Sequence, residues 1–270
     1  LSELEQMCRL ASPRGGSEAV RASGGPPAER AETTPKGSDP RNVLPVAAIL
    51  PASEPNSPEG APERFPDMQA KAPPWTSRPS DDGQLIATTV RLRIQDPQGH
   101  SSGTGTLIDA RSGEALILTC GHIFRDSKGQ GRIEVDLFGP NASQRIPGRL
   151  VKYDLKTDVG LVAVRIPATV ATARVAPPGH QLEPGQSVIS VGCDNGADPT
   201  ARHSRVSSLN KFLGPANVQV AGQPVEGRSG GGLFSPEGFV VGVCNAADPQ
   251  DQEGLFAAAE CIHAILDQAG

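Results

Sequence analysis

The chain is 270 residues long, room for one large domain or two small ones, and its 26 prolines, 31 glycines and 3% aromatic content leave part of that length unsuited to a packed core. A formal net charge of −5 with both signs intermixed gives no basic stripe, which argues against nucleic acid as a main partner. No apolar run approaches the roughly 18 residues of a membrane span, so direct membrane insertion is not expected; the longest early candidate, Val43 to Leu50, is interrupted by Pro45.

Residues 1–11, LSELEQMCRLA, carry apolar side chains at positions 1, 4 and 8, spaced for a short helix or for the end of an upstream segment. The chain opens on Leu rather than Met and shows no signal peptide, as a processed product or fragment would. From Ser12 to Asp82 the composition changes, and fourteen of the 26 prolines fall in this stretch among Ser, Glu, Gly and Ala. Such a composition buries too little apolar surface to offset ordering, so residues 12–82 read as a disordered linker that tethers the rest to a partner.

Beyond Gly83 the periodicity becomes that of β-strands, over residues 83–270. Leu85–Ile94 alternates, with Val90, Leu92 and Ile94 on one face and Thr89, Arg91 and Arg93 on the other. Arg132–Phe138 does the same, with Arg132, Glu134 and Asp136 outward. Further strands are expected at Ala115–Thr119, Gly148–Tyr153, Gly160–Val164, Ser187–Val191, Arg205–Leu209, Asn217–Ala221 and Phe239–Cys244, separated by turn signals such as Asp96-Pro97-Gln98-Gly99. Only Ala257 to Gln268 has helical character, with Cys261, Ile262, Ile265 and Leu266 on one stripe. Many short strands and one terminal helix predict an all-β barrel or sandwich. Five cysteines, Cys8, Cys120, Cys193, Cys244 and Cys261, form no C-x-x-C pair, so buried free thiols are expected rather than a zinc site or disulfides.

Three stretches stand out. His122 follows a buried strand in Leu118-Thr119-Cys120-Gly121-His122, Asp158 stands at the mouth of a hydrophobic strand, and Ser229 is framed by Gly227, Gly230, Gly231 and Gly232. Singly, each has an ordinary reading: a satisfied histidine, a turn former, a flexible glycine-serine loop. Jointly they supply what acyl transfer needs. A serine hydroxyl becomes nucleophilic when an imidazole takes its proton, and the imidazole needs a carboxylate on its other nitrogen. The oxyanion needs fixed donors, for which the amides of Gly227 and Ser229 are candidates. The segment Gly227-Arg228-Ser229-Gly230-Gly231 also fits G-x-S-x-G, but that elbow leads into a helix, whereas here Gly232, Leu233, Phe234 and then Pro236 follow.

These motifs resemble those of trypsin-type (chymotrypsin-fold) serine proteases, closest to the bacterial HtrA-like branch. Gly103-Thr104-Gly105-Thr106-Leu107-Ile108, Thr119-Cys120-Gly121-His122, Asp158-Val159-Gly160-Leu161-Val162 and Gly227-Arg228-Ser229-Gly230-Gly231-Gly232-Leu233 carry the likeness. Gly238-Phe239-Val240-Val241-Gly242-Val243 and Gly254-Leu255-Phe256 add to it, over roughly residues 84–268. The resemblance implies two six-stranded antiparallel β-barrels with the triad His122, Asp158, Ser229 between them, a C-terminal helix, and serine endopeptidase activity on a protein or peptide substrate. It implies no metal and no cofactor, and an extracytoplasmic (periplasmic or secreted) location. The rival is a catalytically idle protease fold used as a binding or sensor module. By the same resemblance Val243, Cys244, Asn245, Ala246 and Ala247 form the edge that pairs with substrate backbone. Gln223 lies at the base of the primary pocket and Gly254 opens its opposite wall, while Glu226 lies close to the pocket in sequence, within reach of a basic group at its rim. Arg228 departs from the pattern, since digestive relatives carry there an Asp that pairs with a freed N-terminus. No PDZ-like segment follows the terminal helix in this sequence.

Overall fold

A computed structural model describes residues 81–269 apart from Gln98 and Pro167. The helix expected at residues 1–11, the linker up to residue 80, and Cys8 lie outside the described residues.

The first element is helical rather than extended. Helix α1 (Asp82–Ala87) is capped by Asp81, whose carboxylate accepts the Gly83 amide at 3.1 Å. Leu85 is buried on it, and the hydroxyls of Thr88 and Thr89 both donate to the Leu85 carbonyl, at 2.8 and 3.2 Å, where the helix stops. The alternation read from Leu85 onward is therefore that of one helical turn running into a strand, and Asp82 belongs to the folded domain rather than to the linker.

Twelve strands follow in two closed barrels. The first is built from β1 (Thr89–Asp96), β2 (Gly99–Arg111), β3 (Glu114–Thr119), β4 (Ile133–Leu137), β5 (Ser143–Asp154) and β6 (Val159–Arg165), in the order β1-β2-β3-β6-β5-β4. The second contains β7 (Ser187–Gly192), β8 (Thr200–Leu209), β9 (Asn217–Ala221), β10 (Gly232–Phe234), β11 (Val240–Asp248) and β12 (Glu253–Ala258), in the order β10-β11-β12-β9-β8-β7. All pairings between neighbouring strands are antiparallel. Closure gives every strand a neighbour on each side.

Val90, Leu92 and Ile94 of β1 and Ile133, Val135 and Leu137 of β4 fill the first barrel, each nearly or fully removed from water. Burial of such side chains stabilises by roughly 1.5–3 kcal/mol apiece. The opposite faces are not simply solvated. Arg91 and Asp136 are cross-strand partners, both buried, with Arg91 Nε donating to Asp136 Oδ2 at 2.9 Å and Arg93 reaching the same oxygen. Burial would raise the Asp136 pKa, but the Arg145 amide and the two guanidiniums outweigh it and hold the carboxyl below its ordinary value. Strand β5 begins five residues before the expected Gly148, at Ser143, because Asp136 Oδ1 takes the Arg145 amide at 2.8 Å and so carries the ladder past Pro147. The last element, α2 (Ala259–Ala269), buries Cys261, Ile262 and Ile265 as its periodicity predicts. Cys120, Cys193, Cys244 and Cys261 are all free and buried.

Candidate active site

His122 opens a short 3-10 turn, His122–Phe124, immediately beyond β3. Asp158 ends the β5–β6 turn with φ of +54°, a left-handed conformation that Asp tolerates better than most side chains. That backbone aims the carboxylate at the histidine twice: Oδ1 accepts the His122 amide at 2.7 Å and Oδ2 meets His122 Nδ1 at 2.8 Å. One carboxylate thus fixes both the ring and the peptide that carries it. Burial of the imidazole would lower its pKa, but the Asp158 charge and the neighbouring Cys120 more than offset it, and the pKa stands well above the ordinary histidine value. Asn245 steadies the same corner from the second barrel, its Nδ2 donating to the Asp158 carbonyl at 3.2 Å.

The serine segment is held against β2 by a chain of bonds between barrels. The Thr104 amide donates to the Ser229 carbonyl at 2.8 Å, and Thr104 Oγ1 donates to the Gly227 carbonyl at 2.7 Å while accepting the Cys193 amide at 2.9 Å. Two glycines are required for this approach. Gly227 has φ of +86°, and a Cβ there would stand 2.5 Å from the Cys193 carbonyl oxygen. Gly230 has φ of +85°, and a Cβ there would run into the Thr104 carbonyl and the Thr119 hydroxyl. The Gly230 amide donates to the Cys244 carbonyl at 2.7 Å and the Glu226 carbonyl accepts from the Asn195 amide at 2.7 Å. The amides of Gly227 and Ser229 have no protein acceptor among the described residues, so both remain available as donors.

His122 and Asp158 are therefore brought together, and Ser229, half-buried, sits on the loop that β2 clamps. No hydrogen bond joins Ser229 Oγ to His122 among the described residues. His122 Nε2 lies instead 3.7 Å from Cys120 Sγ. Catalytic hydrogen bonds are often long in unliganded sites and shorten when substrate is bound.

The family model for the trypsin-like peptidase domain matches residues 103–243, from the first glycine of the β2 motif through Val243. The chain belongs to the trypsin-like peptidase family. Among solved structures, the active form of the Rv3671c protease from M. tuberculosis superposes with a TM-score of 0.57 at 20% identity, covering 69% of this chain and 82% of that one. The serine endoprotease from Yersinia pestis gives 0.58 at 17% identity over 71% and 67% of the two chains. At such identities the likeness is one of fold. None of the individually curated proteins matches the chain.

Within this peptidase fold the residues expected to form a substrate edge, Val243–Ala247, differ in how their backbones are paired. Val243 faces Gly232 of β10 on one side and Ala257 of β12 on the other, and the Cys244 amide and carbonyl are taken by Gly231 and Gly230. Both residues are buried and have no free edge to offer. Asn245 is also turned inward, bonded to Asp158 and to the Ala257 amide at 3.1 Å. Ala246 and Ala247 pair with Leu255 and Gly254 and have no second strand partner among the described residues. Gly254 packs against Phe256 and Pro224, at 3.0 and 3.1 Å from where a Cβ would stand. Gln223 borders a cavity of about 150 Å³ that Pro224, Phe256, Ser190, Arg202 and Arg228 help to line. Glu226 is exposed and is not among the residues that line this cavity. Thr104 was legible only as part of a glycine-flanked strand, and its role as the clamp on the serine loop required the fold.

Cys120, His122 and Asp158 also place three donors within 4.8 Å of one another, as do Asp248, Asp251 and Glu253. The second set already holds a cation, the Lys211 ammonium, 2.8 Å from Glu253 and 3.4 Å from Asp248. Among the described residues no helix is long and apolar enough to cross a membrane.

Proposed function

We propose that this peptidase domain is a serine endopeptidase. Ser229 Oγ attacks the scissile carbonyl while His122 Nε2 takes its proton, and Asp158 keeps the proton on Nδ1 and stabilises the imidazolium that forms. The Gly227 and Ser229 amides receive the oxyanion. His122 then returns the proton to the leaving amine, and water releases the acyl group by the same steps in reverse. The observation that carries this reading is the double hold of Asp158 on His122, 2.7 Å to the backbone and 2.8 Å to the ring, opposite a serine loop whose two candidate amides are unclaimed.

The cavity beside Gln223 favours small or medium uncharged side chains before the scissile bond. No carboxylate lines it, whereas Arg202 and Arg228 do, and burying an unpaired cation costs several kcal/mol. A peptide-library profile dominated by Arg or Lys would remove this specificity and point to Glu226.

One observation favours the rival, a catalytically idle module: His122 Nε2 faces the Cys120 sulfur and is not bonded to Ser229. A fluorophosphonate probe decides between them. Covalent labelling that disappears in Ser229→Ala supports the peptidase; a folded wild-type domain that neither labels nor cleaves unstructured protein supports the idle module.

A further inference from the structure

Arg228 precedes the candidate nucleophile, and its side chain is 1% exposed, the largest fully buried side chain in the described residues. Arginine is almost never buried in this way without partners, and here the partners are complete. Nε donates to Asp194 Oδ1 at 2.7 Å and a terminal nitrogen reaches Asp194 Oδ2 at 3.3 Å. The same nitrogen donates to Thr200 Oγ1 at 2.7 Å and to the Thr200 carbonyl at 3.1 Å. The other donates to the Ser190 carbonyl and hydroxyl at 3.0 and 3.3 Å. The stem fits only because residue 192 is glycine, where a Cβ would lie 2.7 Å from Arg228 Cγ.

Asp194 begins the short turn Asp194–Gly196 between β7 and β8. That turn carries the other supports of the serine loop. The Asn195 amide holds the Glu226 carbonyl, the peptide oxygen directly before Gly227, and the Cys193 carbonyl lies where a Gly227 side chain would be. Arg202 also holds Asp194, at 2.6 Å, and Arg91 of the first barrel donates to the Gly196 carbonyl at 2.6 Å.

On the serine-peptidase reading above, we infer that the pair of buried Arg228 and half-buried Asp194 positions the oxyanion loop of residues 225–230, fastening it from beneath. In the digestive relatives the residue at this place is an Asp that pairs with a freed N-terminus; here position 228 carries the opposite charge, and its partner is a residue already in place. Arg228 and Asp194 are positioning residues that touch neither substrate nor reacting atoms. Their pull keeps the Glu226–Gly227 peptide turned so that its oxygen is engaged by Asn195 and its N–H is left as a donor. Asp194 stays ionised to hold this arrangement: burial opposes the charge, but Arg228 and then Arg202 lower the carboxyl below its ordinary value.

The test is Asp194→Asn and Arg228→Met, each near its parent in volume, beside Arg228→Lys. Loss of one oxyanion donor costs on the order of 10²–10³ in kcat. Asp194→Asn and Arg228→Met are therefore expected to lower kcat by roughly 10²-fold with KM changed less than about threefold, and Arg228→Lys, which keeps the charge, to recover part of it. In ¹⁵N-labelled protein the Gly227 and Ser229 amide resonances should move or broaden in Asp194→Asn while those of β1 stay in place. Wild-type kcat in both uncharged variants, with those resonances unmoved, overturns the inference even if both melt at lower temperature. The spectrum does not depend on turnover. A wild-type domain without peptidase activity would defeat the proposed function, and the Gly227 and Ser229 resonances would still decide whether the pair positions the loop.

Discussion

Each barrel holds a buried arginine against an aspartate, Asp136 buried in the first and Asp194 half-buried in the second, and the two pairs stand in different places. Arg91 and Asp136 stand opposite each other on neighbouring strands of the first barrel, with Arg93 on the same carboxylate. Arg228 and Asp194 lie on two loops of the second barrel and meet only because closure brings those loops together. The first pair ties two strands together, and the second ties the loop that carries Ser229 to the turn after β7. The two halves of the candidate active site differ in the same way. His122 and Asp158 are fixed by direct bonds to each other, whereas Ser229 is fixed through its neighbours, Thr104, Arg228 and Cys244. An ion pair is thus no measure of function in itself; the two differ in whether they hold a strand or the loop that carries Ser229.

The largest effect should come from the serine half. Ser229→Ala is expected to lower kcat on the order of 10⁴–10⁶-fold, and adding His122→Ala should cost little more because the two act as a unit. A folded Ser229→Ala protein with wild-type turnover would end the assignment. The histidine half should be nearly as sensitive: Asp158→Asn preserves shape but places the wrong tautomer on His122, and roughly 10⁴-fold in kcat is expected, measured on the same peptide.

Asp136→Asn sharpens the comparison from the other side. Removing one partner of a buried pair costs about 3–5 kcal/mol, and Arg91 has further acceptors, so a loss near the lower end is expected in urea unfolding. The kcat of the folded protein should stay close to wild type. A large fall in kcat without loss of stability would show that the first-barrel pair also serves the site.

The smallest effects concern pH. A general base must be neutral, so the acid limb of kcat/KM should have its midpoint above the ordinary histidine value of 6.5, and Asp158→Asn should move it down. A wild-type midpoint below 6.5 would contradict the Asp158–His122 coupling. The sign for stability is opposite: a raised histidine pKa contributes stability that is complete below 6.5 and disappears as pH rises through the folded value. The lowered carboxyl pKa values of Asp136 and Asp194 contribute stability that is present above their ordinary 3.8 and is lost as pH falls through their folded values.

Much of this molecule was determined by local sequence. A period of two placed Val90, Leu92 and Ile94 inside a barrel, because strand side chains alternate between faces whatever lies beyond them. The glycines around Ser229 marked a backbone that must turn and be approached closely, and His122 and Asp158 stood at strand ends where a site can form. What sequence could not decide was how the outward faces are covered and which edges are already occupied. Arg91 and Asp136 looked solvated until a neighbouring strand brought them together across 45 residues, and Val243 and Cys244 looked open until β10 and the glycine loop paired with them. Arg228 was visible as a departure, but its partner Asp194, 34 residues earlier, was not. Alternation is a property of a single strand, readable wherever it occurs. The partner of a buried charge is a property of barrel closure, which brings distant loops together for reasons that no local stretch of the chain contains.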